Sequence, residues 1–489
     1  MVGANHHLQE SPSRLSDKKI QIKWLALPIE EICQNNFRLE ASVYGIEGRH
    51  ARNQLEKSKW PITNLCGANG FATAYHRPRF RRVYVEKSDN PIYQPAQVNE
   101  LNPKPTAFIS HLTITDINAL KVQKGQVLLT CSGTVGNCTY VSETLKNRIF
   151  SHDLIRIQPK ENPGFIYAYL KSEFGRTIIN TNNYGAVVSH IEPEHLQRIP
   201  IPNPPAILKQ EISNLIEESF KLRDESNKLI GDAQNCLAKQ LRLPSVGELQ
   251  KDTDLFDRKT QVVNFSAALG ELDGRLDASY HHPIVKVIER HLAAYADEVP
   301  ILNDKRLIRC VILPGRFKRI YVGEGSGIIF FSGKNILELD PVDKKYLSFA
   351  QHEEKIKREL TIKEDMILVT CSGTIGKVAL VPKHWDGWAM THDIIRIVPR
   401  DKQVAGYLYT WLSSPYAYEL IKRYAYGAVV GHIEKEHILK VPVPLLNDKS
   451  QQEKINMMAL EVNNMRTKAY ELEQKALDIL YRQVIYSHS

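Results

Sequence analysis

The chain has 489 residues, 64 Lys and Arg against 55 Asp and Glu, a formal net charge of +9 at pH 7 and 43% hydrophobic residues. With a pI of about 8.9 and a mean hydropathy of −0.32, it reads as a soluble globular protein. No apolar run approaches the ~20 residues of a membrane span. The length suffices for two ordinary cores, and the mild basic excess permits a polyanionic partner without establishing one.

Residues 1–26 read as a polar arm; no apolar stretch follows its charges, so a secretory leader is not expected. The seven cysteines are Cys33, Cys66, Cys131, Cys138, Cys236, Cys310 and Cys371, and they form no CxxC pair. This argues against a zinc site or a disulfide framework and for a reducing cytoplasm. From residue 27 to 204 the pattern is that of a first globular unit. Short β-branched runs at 126–130 and 154–157 predict strands, a helix begins near Phe165 after Gly164, and a Pro-bounded RIPIP segment closes the unit as an edge or exit strand. Residues 205–243 predict a long helix, 244–273 a Pro-, Gly- and charge-containing connector, 274–446 a second unit and 447–489 a second long helix.

The two units are one sentence written twice. YGAVVSHIEPEHLQRIPIP from Tyr184 and YGAVVGHIEKEHILKVPVP from Tyr426 are identical at 12 of 19 positions. LLTCSGTVGN ending at Asn137 answers LVTCSGTIGK ending at Lys377, SHDLIRIQP from Ser151 answers THDIIRIVP from Thr391, and RFRRVYV from Arg79 answers RFKRIYV from Arg316. A period of half the chain is too long for a solenoid and means two copies of one domain. Between the matched blocks the copies diverge, above all at 45–78 against 281–315. One scaffold with two unlike surfaces is expected, specificity lying in those stretches. The fold class is α+β, or mixed α/β.

In each long helix apolar or small residues alternate in steps of four and three: 208, 212, 215, 219, 222, 226, 229, 233 and 236 in the first, and 455, 458, 462, 465, 469, 472, 476 and 479 in the second. That is a coiled-coil seam. One heptad position is large (Leu215, Leu222; Met458, Met465), the other becomes small (Ser219, Ser226; Ala469, Ala476). The helices, each ~50 Å long, are expected to pair antiparallel and to hold the two copies apart.

Both copies carry a cationic-aromatic cluster: Arg77, Arg79, Arg81 and Arg82 with Tyr84, and Arg316, Lys318 and Arg319 with Tyr321. Such groups neutralise phosphates. The CSGT turns offer Ser132, Thr134, Ser372 and Thr374, with glycines that let a partner approach the backbone. His152 and His392 can each set an imidazole beside a phosphate, and Tyr184, His190, Tyr426 and His432 flank the YGAVV segments. Together with Lys334 these are the candidate DNA contacts. Catalytic patterns fail on inspection. Asn203-Pro204-Pro205 lacks the aromatic of a base methyltransferase. Ser332-Gly333-Lys334-Asn335 is not a phosphate-binding loop. Asp340, Asp343 and Lys345 have no equivalents in the first copy, the His-Asp pairs lack further metal ligands, and Cys131 and Cys371, for which His190/His432 or His152/His392 could be imagined as base, read better as parts of tight turns.

The order L-x-x-C-S-G-T-x-G, HD-strand, GYxY helix, YGxxxxHI segment, P-x-P exit and long helix, all twice, resembles the specificity subunit of type I restriction–modification systems, and Gly327 to Ile336 resembles that family's GKDI-like element. The resemblance implies two target-recognition domains, each reading one half of a bipartite, asymmetric site in double-stranded DNA. The paired helices would set the spacer and dock two DNA methyltransferase subunits, and a motor-nuclease subunit is an optional further partner. It implies a non-catalytic, cytoplasmic, nucleoid-associated bacterial protein in phage defence, with no cofactor and no membrane partner. The alternatives are an assembly scaffold that does not read DNA and a cryptic DNA-modifying enzyme.

Overall fold

The computed structural model describes residues 26–487 except 35, 36, 38, 40, 86, 106, 182, 185–188, 253–255, 258–261, 264 and 343. The polar arm, apart from Ala26, and the candidate Asp343 therefore lie outside the described residues.

Each copy rests on two four-stranded sheets with the same strand order. In the first copy, Ala72–His76, Leu154–Pro159, Val127–Thr130 and Cys138–Tyr140 lie side by side and antiparallel. Tyr84–Val85, Ala107–Ile109, Pro91–Tyr93 and Ile149–Phe150 form the second sheet, whose last pair is parallel. The second copy repeats this with Ile308–Ile312, Ile394–Pro399, Ile367–Thr370 and Val378–Leu380, and with Tyr321–Val322, Lys345–Ser348, Gly327–Phe331 and Ala389–Met390. The central strand explains why its sequence is apolar without alternation. Val127 and Leu129 face the helical core, whereas Leu128 joins Leu154 in a second core beneath the other sheet. A strand covered on both faces must be apolar at every position. Ile367, Val369 and Leu368 divide in the same way.

The predicted exit strand is Pro200–Pro202, paired with Ile62–Asn64; its counterpart makes isolated bridges, Pro442 with Ile301 and Leu445 with Glu298. Helices Pro163–Lys171 and Lys402–Leu412 carry each copy onto a long helix. Gly164 and Gly406 allow this: a Cβ on Gly164 would stand 2.5 Å from the Ser213 carbonyl oxygen, and one on Gly406 would collide with the Asn456 carbonyl. The close approach is fastened by Gly164 N–H donating to Ser213 Oγ (2.9 Å) and Tyr407 N–H donating to Asn456 Oδ1 (3.0 Å).

The long helices are Ala206–Gln240 and Lys449–Ile479, the latter running into a wider turn at Leu480–Ile485. They pack antiparallel. Ile212, Ile216 and Phe220 share the first copy's core with Ala476, Ile479 and Leu480, while Ile230, Ala233 and Leu237 share the second copy's core with Ile455, Ala459 and Val462. Ser219, Ser226, Ala233, Ala469 and Ala476 are fully buried, and Ser219 Oγ donates to the Ala469 carbonyl at 2.6 Å, so the small positions bring the axes together. Each helix also packs on both copies, because its buried stripe is wider than a two-position seam. The connector contributes Val246–Asp252 and buries Leu243 and Leu249 against the second copy. At the far end Trp60 Nε1 donates to the Gln483 carbonyl (2.7 Å) and Lys59 N–H to the Ser487 carbonyl (3.0 Å), fastening the end of the second helix to the first copy.

One expectation is corrected. The helices do not hold the copies clear of each other. Leu101 N–H donates to the Leu337 carbonyl (2.8 Å), Glu100 bridges Glu338, and Lys377 Nζ lies 2.9 Å from Glu100. The two units meet over the middle of the helix pair, where Leu222, Leu339 and Ala469 form a shared apolar cluster.

Candidate nucleic-acid interface

In each copy the CSGT turn is stitched to the YG…H hairpin by main-chain bonds. Gly133 N–H donates to the Ser189 carbonyl and Ile191 N–H to that of Cys131, both at 3.0 Å; Gly373 to Gly431 (3.0 Å) and Ile433 to Cys371 (2.9 Å) repeat them. Ser132 bridges His190 and Ser372 bridges His432. The turns need left-handed glycines, with φ of 73° and 94° at Gly133 and Gly136 and 71° and 81° at Gly373 and Gly376. Inside them Thr130 Oγ1 donates to the Thr134 carbonyl and Thr370 Oγ1 to the Thr374 carbonyl, both at 2.5 Å. Thr134 and Thr374 themselves are exposed. In the hairpins Tyr184 and His190 exchange both backbone bonds, as do Tyr426 and His432. Tyr184 OH donates to Glu192 (2.9 Å) and Tyr426 OH to Glu434 (2.5 Å).

The cationic segments arrive at the same turns. Arg79 Nε donates to His152 Nε2 at 3.1 Å, and Arg319 Nη2 lies 3.1 Å from His392 Nδ1. Arg81, Arg82 and Tyr84 are exposed, Arg82 donating to Tyr84 OH (3.1 Å). Arg316, Lys318 and Tyr321 are exposed in the second copy. Arg77 behaves differently from its neighbours: it is 3% exposed and donates to the Phe150 and Pro78 carbonyls. It is a strut, and burial pulls its guanidinium down to about 10. Lys334 sits apart, on the turn Gly333–Asn335 near the seam between copies, where its charge acts on the Glu338 carboxyl.

Burial, helped by His76, Arg79 and Arg77, holds the His152 imidazole below its usual range. Burial, with Arg319 and Arg316 pulling the same way and Asp393 opposing, does this to His392. A neutral imidazole ringed by cations is a receptive place for an anion. Burial raises the Cys131 and Cys371 thiols to about 12, which removes them as nucleophiles at neutral pH. Among the described residues, no group of three His, Cys, Asp or Glu side chains is placed to hold a metal ion, and no helix is long and apolar enough to cross a membrane.

Three participants were missed. Glu192 and Glu434 anchor the hairpin tyrosines, and the HIE-x-EH string repeated in both copies was their signal. His76 had none, since it has no counterpart in the repeat. Part of each divergent stretch is scaffold. Helix Ile46–Glu56 buries Ala51 and Leu55, and helix Pro283–Tyr295 buries Ile284, Val285, Ile288 and Leu292. The last residues of each stretch, His76 and Leu313, reach the turns and hairpins.

Three comparisons bear on identity. No curated protein matches the chain. Among solved structures, the chain is similar to the type I restriction–modification S subunit from M. genitalium, with 12% identity over 86% of this chain and 96% of that one and a TM-score of 0.35. It is also similar to the HsdS subunit from Thermoanaerobacter tengcongensis, with 14% identity, coverage of 88% and 96% and a TM-score of 0.26. The model of the type I restriction modification DNA specificity domain matches residues 74–230 and again 334–462. Those two matches span more than half of the chain and fall one on each copy, so the chain belongs to the type I restriction–modification DNA specificity family.

Proposed function

We propose that this chain is the DNA-reading subunit of a type I or related methylation-based defence complex. Each copy reads one half of a bipartite, asymmetric site in duplex DNA. The helix pair, together with the direct contact between copies, sets the spacer. The outward helix faces dock two methyltransferase subunits, to which a motor-nuclease subunit is added where restriction is the output. The chain itself performs no chemistry. One observation carries the reading: the same turn, hairpin, imidazole and arginine cluster is built twice, on two copies packed against opposite halves of one antiparallel helix pair. A single small ligand has no use for that duplication, whereas a long anionic duplex presents phosphates to both clusters at once.

The test is binding of the full chain, with the partners that co-purify with it, to random duplex DNA across a salt series, followed by selection of the bound sequences. A steep loss of affinity with salt and two short motifs at fixed separation are expected. Salt-independent binding, or a single uninterrupted motif, overturns the reading. Deleting one heptad from each long helix shortens the pair by ~10 Å, about three base pairs at 3.4 Å each. The motif separation then shrinks by that amount or the subunit fails to assemble; an unchanged separation refutes the ruler role.

A further inference from the structure

The two clusters agree in backbone and differ at one side chain. The offset of 237 that aligns the arginine segments places His76 opposite Leu313, each near the end of a divergent stretch. In the first copy His76 Nε2 lies 3.0 Å from Glu192 Oε2, and its ring stacks on His152 with centroids 4.6 Å apart. The imidazole thus spans from hairpin carboxylate to turn histidine and fills the space between them. The second copy keeps both ends of that span, Glu434 and His392, but Leu313 cannot make the bridge. A cleft of about 270 Å³ opens there, lined by Leu313, Arg316, His392, Asp393, His432 and Glu434 among others.

The lining decides what fits. Between the Asp393 and Glu434 carboxylates a phosphate would be repelled, so phosphate is left to the Arg319 side of His392, outside the cleft. A base edge bearing an exocyclic amine meets what it needs: a carboxylate accepts from cytosine N4 or adenine N6, for adenine Arg316 or an imidazole N–H can also donate to N7, and the Leu313 methyls cover the apolar face. In the first copy Glu192 is already engaged by His76 and Tyr184. Their hydrogen bonds, against burial, keep it below the usual carboxylate range.

We propose that the Leu313–Glu434 cleft is a specificity pocket reading a base amino group in one half-site, and that His76 closes the matching pocket in the first copy. The two copies therefore read different chemistry at equivalent places, which makes the site asymmetric. This rests on the DNA-reading function above.

The experiment uses the full chain with its co-purifying partners and the duplex selected for it. Each adenine is replaced in turn by purine and each cytosine by 2-pyrimidinone, which removes one amine at a time. One position, in one half-site only, is expected to lose about tenfold in affinity. Leu313→His is expected to abolish that sensitivity while the chain still binds, and His76→Leu to create a comparable sensitivity in the other half-site. Leu313→Met, which keeps the cleft open, is expected to retain it. The amine scan on the unaltered protein needs no variant, so misfolding of Leu313→His leaves the proposal decidable. Selective binding with no amine-sensitive position, or full sensitivity in a folded Leu313→His variant, overturns the pocket and leaves DNA reading intact. Failure to bind duplex at all overturns both.

Discussion

Glu473 offers the sharpest test of how the copies and helices are locked together. Its side chain is 1% exposed in the last two turns of the second long helix; it accepts from the Arg223 guanidinium, lies 3.8 Å from Lys171 Nζ and receives the Tyr167 hydroxyl at 3.3 Å. Burial lowers the proton affinity of both cations, so their charge depends on the nearby anion. Glu473→Gln keeps shape and an acceptor but leaves two buried cations short of a counter-charge. Breaking a buried pair in this way costs 3–5 kcal/mol; the retained amide puts the expectation at about 3 kcal/mol. The protein contains its own control. At the positions related by the repeat stand Ile230 and Ser413, and there Arg466 makes do with the Tyr409 hydroxyl at 3.2 Å. Glu473→Ile combined with Lys171→Ser converts the first half to the second half's solution, removing one anion and one cation together. The double variant should lie within ~1 kcal/mol of the parent, with a coupling of ~2 kcal/mol or more between the two sites. Urea titrations at constant slope measure both quantities. A loss under ~1 kcal/mol for Glu473→Gln, or a double variant worse than the single, refutes the argument.

Other expectations follow from the same geometry. Phosphate bound beside His152 and His392 raises imidazoles that the free protein holds low, so binding takes up protons: affinity rises as pH falls through the window between the free and bound values and is flat above it. Fluorescence anisotropy from pH 6 to 8.5 reads this, and a His152→Ala, His392→Ala pair should flatten the curve. Gly164→Ala drives a Cβ against the Ser213 backbone and should cost 1–3 kcal/mol, whereas Gly231→Ala, in open space on the first long helix, should gain about 0.5–1 kcal/mol; denaturation curves of the two variants moving in the same direction would contradict this. Maleimide at neutral pH should label exposed Cys33 and Cys310 and spare Cys131 and Cys371, as intact-mass spectrometry will show.

The architecture was legible because it is repeated: a block seen twice at a near-constant offset has to be a folding unit, and the matched strands 127–130 and 367–370 fall where their β-branched runs predict. The seam of the long helices was legible from Ser219, Ala469 and their neighbours, since close axes require small residues at one heptad position. What escaped was non-local. Arg77 and Arg79 are two residues apart in one basic run, yet one is bound into the fold by main-chain carbonyls and the other faces outward, a distinction no run of charges carries. The divergent stretches 45–78 and 281–315 suggest specificity because they differ between copies. Part of each is a helix buried in its own copy, Ile46–Glu56 and Pro283–Tyr295, and periodicity alone did not separate that part from the loops.

The asymmetry between the two halves has one physical root. A duplicated domain on two identical helices could pair with either copy in either place. The exchanges of Ile230 for Glu473 and Ser413 for Lys171 put a buried ion pair in one half only, where a mispaired partner would leave a charge without its complement. The contact of Glu100 and Leu101 with Leu337 and Glu338 then closes over that network from above. Burial pushes the Glu338 carboxyl up to about 7, near Glu100. Raising the pH through 7 adds a charge to a covered carboxyl already facing another, and the contact between copies is the element that has to loosen first. Hydrogen exchange at Leu101, compared at pH 6 and pH 8 after correction for intrinsic rates, should show its protection falling with pH. Unchanged protection would mean that the seam, and with it the spacing of the two reading clusters, is held by the helices alone.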